Sequence, residues 1–275
     1  MQNNVIISVA KKEIMDNIRN KWIIIVSVIF ALLTIASSYY GAAYSKKWSD
    51  MGFTIVIIMS MVQYLISIIA LILGYGTIIA EVERGSMSSL LSLSATRLEI
   101  ITGKFLGLAS VLSISIFVGF GAAGLIIAAN VPNFNFVEYL IFIGASILFG
   151  LIFLSISLFF STIFKRRSTA IGGAVFLWFF FLFILSIIFG IILFSTGSTI
   201  IPDWYYGLEL LNPVSVYSNF VSINVVPISQ MMQTVTTTPI TYPSFLTNWL
   251  LLPLLFLWII VFFVLAYWRF NKQDI

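Results

Sequence analysis

The residues able to do chemistry in this chain are gathered in one stretch. Between two long apolar runs, Glu81, Glu83, Arg84, Arg97, Glu99 and Lys104 place six charges within two dozen residues. Cysteine and histidine are absent from all 275 residues, which excludes disulfides, zinc sites, thiol nucleophiles and imidazole acid-base catalysis together. Gly103-Lys104 is not a phosphate loop, because Leu98 stands where the motif needs its first glycine and Phe105 where it needs Ser or Thr. The chain is therefore expected to bind no cofactor and to hold no nucleotide site. If ATP drives it, another chain binds the ATP. Met231-Met232 is one thioether pair, a poor copper site and a good packing pair. What remains for mixed charges on a short connector is docking to a partner.

The local signals give that connector a shape. Gly85 interrupts the helix leaving the preceding apolar run, and Ser86 is a good N-cap for a helix of about two turns over residues 87–93, with Leu90 and Leu91 apolar. Ser94-Ala95 breaks it, and Thr96-x-x-Glu99 is a capping box that starts the next helix. A short transverse helix with exposed leucines, held between two longer helices, suits a groove on another protein.

The elements that hold this connector belong to a membrane. Only 9% of residues are charged, against about 25% in soluble domains, and the mean hydropathy is +1.09. Uncharged runs over 22–40, 53–80, 105–129, the region ending at 164, 169–195 and 248–268 predict six transmembrane helices. The second run exceeds what a bilayer needs, so it should tilt or extend, and Gly74 with Gly76 permits a bend. Before the first span, Ile7, Ala10, Ile14 and Ile18 share one helical face opposite Lys11, Lys12, Asp16 and Arg19, as in an interfacial amphipathic helix. The first span is too long for a signal-peptide core and no persuasive cleavage site ends it. Residues 196–246 carry five of the seven prolines and no lysine or arginine, and should be partly helical on one side of the membrane.

Of the 14 lysines and arginines, only Lys46 and Lys47 fall on the side opposite the connector. The positive-inside rule then places both termini and the 81–104 loop in the cytosol and the 196–246 segment outside. The chain reads as one all-α membrane domain over 1–275: an interfacial elbow over 1–21, helices 1 to 5 over 22–195, the outer segment, and helix 6 with a cytosolic tail over 247–275.

All the acids and bases lie at or beyond the span ends, which argues against a proton-coupled or voltage-sensing transporter and against an intramembrane protease. Interior polar groups are mostly Ser and Thr, including Ser110, Ser113, Ser115, Ser155, Ser157, Ser161 and Thr162, and suit helix packing more than substrate lining. Gly119 with Ala123, and Ser146 with Gly150, are spaced for close helix contact. Gln63 is the one amide in its span and is a candidate substrate-pathway residue.

Glu81-Val82-Glu83-Arg84-Gly85-Ser86, then Leu90-Leu91, then Arg97-Leu98-Glu99-Ile100 and Gly103-Lys104-Phe105, resemble the first cytosolic loop of type-2 ABC (ABC-2) exporter permeases. Lys12-Glu13 with Arg19-Asn20-Lys21-Trp22 looks like that family's elbow helix. Leu211-Asn212-Pro213 with Tyr217 resembles the NosY-type branch, whose permease belongs to the system that matures nitrous oxide reductase. The resemblance implies a multi-pass protein of the cell (inner or plasma) membrane, paired with a second permease copy. Two separate cytosolic ATPase subunits would hold the ATP and magnesium, and residues 86–93 would serve as the coupling helix. Glu81, Glu83, Gly85, Ser86, Leu90, Leu91, Arg97, Glu99 and Lys104 are then ATPase-coupling residues. Asn212, Pro213 and Tyr217 are contacts for an extracytosolic accessory protein. The family lacks a nucleic-acid partner and commonly has proline near Ser94, which this chain does not.

The expected function is that of a permease coupling a partner's ATP hydrolysis to substrate export or to force on an extracytosolic partner. The uncharged spans favour an apolar or amphipathic substrate, or force transmission. Export of a drug, lipid, peptide or ion is the alternative within the family. A scaffold or sensor that recruits a cytosolic protein is the alternative of another class.

Overall fold

The computed structural model describes residues 2–45, 51–83, 85, 95–130, 134–197, 201–225 and 242–273. Regular structure among them is helical throughout: α1 (Gln2–Arg19), α2 (Trp22–Ser45), α3 (Met51–Gly74), α4 (Ile79–Glu83), α5 (Arg97–Asn130), α6 (Phe136–Ile163), α7 (Arg167–Phe179), a π-helical turn (Phe180–Ile184), α8 (Leu185–Ser195), α9 (Asp203–Glu209), α10 (Pro213–Asn224) and α11 (Asn248–Asn271). Five helical runs are long and apolar enough to cross a bilayer, and α1 with α2, bent by 65°, makes a sixth candidate.

The bend between α1 and α2 falls at Lys21, whose φ of 56° reverses the chain in a left-handed conformation uncommon for a residue with a Cβ. α1 then lies along α5, where glycine opens the way. A Cβ on Gly103 would meet Val9 Cβ at 2.7 Å, and one on Gly107 would meet the Ala10 carbonyl at 2.8 Å. Further along the same helix, Gly119 admits α2, with a Cβ there 2.7 Å from both Phe30 Cβ and the Ser27 carbonyl. Gly103 and Gly107, four residues apart, share the face of α5 that meets α1, and Gly119 lies on a different face that meets α2, so two helices approach at backbone distance. Ile7, Met15 and Ile18 on α1 remain exposed, as an interfacial helix turned toward lipid requires.

α6 is the central helix. It packs against α11, α3, α5, α7 and α10, and is the most buried of the candidate spans. Phe142, Phe149, Phe153 and Ile156 are fully buried in the main core. Its start is set by Asn135, whose Oδ1 accepts from the backbone N–H of Val137 and Glu138.

Two of the expected helices are interrupted. The 53–80 run breaks into α3 and α4 across a turn over 75–78, where Gly74 approaches Ser157 so closely that a Cβ would sit 2.9 Å from it. α6 satisfies the backbone groups loosened there: Ser157 Oγ donates to the Leu71 carbonyl at 2.7 Å, and Ser161 Oγ accepts from Ile78 and Ile79 N–H at 2.9 and 3.2 Å. Non-helical backbone inside a membrane bundle persists when protein groups complete it in this way. The serines of α6 are thus packing and repair groups. The other interruption, the π turn in the 169–195 run, leaves no mark in the sequence.

Candidate functional site

Glu81, Glu83, Arg97, Glu99 and Lys104, the described acids and bases of the connector, bond within the chain and tie helix ends together. α4 carries Glu81 beside the start of α5, and Lys104, about two turns into α5, points back to it. Lys104 Nζ donates to Glu81 Oε1 at 2.8 Å and to Glu13 Oε1 of α1 at 2.7 Å. Its side chain is 3% exposed, and Lys12 adds a looser contact to Glu81 at 3.6 Å. Two acids and two bases form a neutral quartet. That balance is what allows a lysine to be buried at a helix crossing.

Glu83 faces the other way. Its carboxylate takes Arg167 Nε at 2.9 Å and the Arg167 backbone N–H at 3.1 Å, and Arg167 Nη2 reaches the Ala80 carbonyl at 3.4 Å. α4 is joined in this way to the first turn of α7. Gly85 closes α4 with φ of 70°, a left-handed conformation glycine adopts without steric cost.

Arg97, at the head of α5, takes over the end of α11. Its Nη1 donates to the carbonyls of Phe270, Asn271 and Gln273 at 2.7, 3.1 and 2.7 Å, and its guanidinium lies 5.7 Å from the Phe270 ring centroid. Carbonyls left open by the last turn of a helix favour such a cation. Glu99 completes the expected capping box: Oε2 accepts from Thr96 N–H at 2.7 Å and Thr96 Oγ1 at 2.8 Å, while Thr96 Oγ1 accepts from Glu99 N–H at 3.2 Å.

Of the nine expected coupling residues, Glu81, Glu83, Arg97, Glu99 and Lys104 therefore bond within the chain, and Gly85 ends a helix. Ser86, Leu90 and Leu91, with the expected transverse helix over 86–93, lie outside the described residues. Lys12, Glu13 and Arg167 complete the network. Their signal in the sequence was charge sitting next to span ends, which fixes no pairing.

The residues expected to meet an extracytosolic partner are instead internal. Asn212 and Tyr217 are 0% exposed and Pro213 is buried. Asn212 caps α10 by accepting from Val214 N–H at 3.0 Å, and its Nδ2 donates at 2.8 Å to the Phe181 carbonyl in the π turn. Widening of the helix there frees that carbonyl. Pro213 occupies the first turn of α10, where a missing N–H costs nothing. Tyr217 Oη lies 3.1 Å from Ser146 Oγ, and its ring packs 4.6 Å from that of Phe149 on α6. The motif seats α10 in the bundle, because a buried amide and phenol need partners and the chain's own helices provide them.

Gln63, expected to line a pathway, donates to Ser218 Oγ of α10 at 2.6 Å. Nearby, Trp178 Nε1 donates to Ser67 Oγ at 2.6 Å, tying α7 to α3. Ser146 stands about 15 Å along α6 from Phe136, so α10 reaches well into the bundle from the end opposite the charges.

Residues 7–275 match the family model described as ABC-2 family transporter protein. A relative from Pseudomonas aeruginosa, named "Probable ABC transporter permease protein NosY", is 34% identical over 222 residues, covering 78% of this chain and 80% of its own length. One of the same name from Stutzerimonas stutzeri is 31% identical over 220 residues, with 78% and 80% covered.

Proposed function

This chain belongs to the ABC-2 transporter family, and on that premise we propose that its charged end receives motion from a separate ATPase and passes it to the helices as a unit. It is an ABC transporter permease, a multi-pass protein of the inner membrane, and such a permease works with a cytosolic ATPase partner. The proposal adds the route. A second permease copy and two ATPase subunits form the assembly, both termini and the 81–104 loop face the cytosol, and ATP with magnesium stays in the partner. Residues 86–93, with Leu90 and Leu91, dock in the ATPase.

The observation that carries this reading is the quartet of Lys12, Glu13, Glu81 and Lys104. It joins α1, α4 and α5 immediately beside both ends of the 86–93 segment. Glu83 with Arg167 adds α7, and Arg97 adds α11. Displacement of the segment would load five helices at once. The turn over 75–78 gives α4 a joint with α3 whose backbone bonds are held by serine hydroxyls instead of a continuous helical ladder.

The load at the far end is either an apolar or amphipathic substrate or an extracytosolic protein. The NosY relatives favour a role in copper-enzyme maturation, including that of nitrous oxide reductase. Since Asn212, Pro213 and Tyr217 are buried, such a partner would read the movement of α10 and not these side chains.

Co-expression with a cognate cytosolic ABC ATPase separates docking from transmission. Leu90→Asp is expected to abolish co-purification of the ATPase. Lys104→Met is expected to keep the complex while uncoupling nucleotide hydrolysis from the permease. Intact assembly and stimulation in both variants would overturn the proposal.

A further inference from the structure

At the charged end, α4, the end of α6 and the end of α11 enclose an open cavity of about 420 Å³ that the coupling network does not use. Lys165, Arg269 and Lys272 line it together with Gln273, over apolar walls that include Ile79 and Val82, and no acid is among its described lining residues. Among the described residues none of these three cations is in an ion pair. The helix-end carbonyls that would repel an anion there are occupied: Arg97 takes those of Phe270, Asn271 and Gln273, and Gln273 Nε2 takes that of Thr162. With its nitrogen committed, the Gln273 amide holds Oε1 buried and without a hydrogen-bond partner among the described residues.

The level of the cavity is that of lipid headgroups. It opens where α6 and α11 end, beside Tyr267 and Trp268, and Lys272 Nζ sits 4.0 Å over the Trp268 ring. Aromatic rings and basic side chains at helix ends mark the interface, and basic pockets between membrane helices suit anionic headgroups. The demands of the pocket are specific: a negative charge for three cations, a hydrogen-bond donor for one buried acceptor, and acyl chains beside exposed apolar helix surface.

We propose that this cavity binds a single anionic phospholipid of the phosphatidylglycerol type. Its phosphodiester meets Lys165, Arg269 and Lys272, and a glycerol hydroxyl donates to Gln273 Oε1. Phosphatidylcholine lacks both the net charge and the donor. The proposal rests on placement of the chain in the membrane and not on the coupling route, so lipid retention tests it independently of ATPase activity.

The test is native mass spectrometry of the full chain released from nanodiscs of equimolar phosphatidylglycerol and phosphatidylcholine. Wild type is expected to retain one phosphatidylglycerol per protomer. Arg269→Gln with Lys272→Gln, both on exposed side chains, should weaken retention roughly thirtyfold, on the order of tenfold or less per charge lost near the membrane surface. Lys11→Gln with Arg19→Gln on α1 removes the same charge elsewhere and should leave it unchanged. Gln273→Leu should lower preference for phosphatidylglycerol over phosphatidic acid, which lacks the glycerol hydroxyls. Equal retention of phosphatidylcholine, equal loss in both charge pairs, or displacement of the lipid by inorganic phosphate would overturn the proposal.

Discussion

Lys104→Met is the sharpest perturbation of the charged end. Lys104 touches carboxylate oxygens of Glu13 and Glu81 at 2.7 and 2.8 Å, and those side chains are only 15% and 14% exposed. Because both oxygens contact the same nitrogen, removing the lysine leaves two acids about 5 Å apart, repelling by about 3 kcal/mol at an effective dielectric near 20. Lys12 is 55% exposed and compensates little. Breaking a buried pair by deleting one partner generally costs about 3–5 kcal/mol, and this site falls within that range. Arg167→Met deletes a pair whose members are both 36% exposed and should cost less than about 1 kcal/mol. Thermal unfolding of the chain in nanodiscs measures the contrast. A triple variant, Glu13→Gln, Glu81→Gln and Lys104→Met, removes every stranded charge and should regain most of the loss, because a buried ionic network exchanged for a neutral one is often close to neutral. If Lys104→Met were no more destabilising than Arg167→Met, or the triple variant no better than the single, the quartet would not be what holds α1, α4 and α5 together.

Glu209 gives the segment over 203–224 a pH dependence. Burial raises its pKa above the usual carboxylate value, against a hydrogen bond from Asn219 that lowers it. The folded state therefore binds the proton more readily than the unfolded one. Stability of α9 and α10 is greatest in acid and falls as pH rises from about 4.5, the ordinary glutamate value, through the raised folded one. Limited proteolysis of this segment should be slower at acidic than at neutral pH, and Glu209→Gln should remove the difference. Asn212→Leu should cost about 1–3 kcal/mol by stranding the Phe181 carbonyl and the Val214 N–H. Asn212→Asp keeps the cap acceptor but sets a carboxylate oxygen against the Phe181 carbonyl at a fully buried position, and should cost at least as much by the same thermal measurement.

The legible parts of the fold were those written in runs and short local spacings. The apolar stretches, the Thr96 to Glu99 capping box and the interruption of the helix after Gly74 depend on neighbours in sequence, so pattern identifies them. The pairing of Lys104 with Glu13 spans 91 residues and that of Gln63 with Ser218 spans 155, and no periodicity encodes such partners. Asn212, Pro213 and Tyr217 show the difference most clearly. A polar motif in a proline-rich outer segment suggests a surface, yet the same amide and phenol serve equally to satisfy a carbonyl freed by a π turn and a serine on α6. Only the tertiary path of 203–224 decides between them. The π turn is equally silent, since Phe180 to Ile184 is ordinary apolar helix by composition.

The spans hold no ionisable side chain at mid-membrane, so any work done across them has to travel through packing. α3 has the arrangement for this. Its end at Gly74 abuts Ser157 beside the joint to α4, while Gln63, about 16 Å back along the helix, grips Ser218 of α10. α6 runs alongside, holding the joint through Ser157 and Ser161 and the far segment through Ser146 and Tyr217. Two stiff helices thus connect the charged end to α10, and close-packed interiors transmit displacement instead of absorbing it. Continuity of contact is the condition for coupling, and an element with two arrangements is its demonstration. α10 is the segment where that second arrangement would register. It is held by a few hydrogen bonds to α3, α6 and the π turn, and moving it would open the bundle at the end opposite the charged cluster.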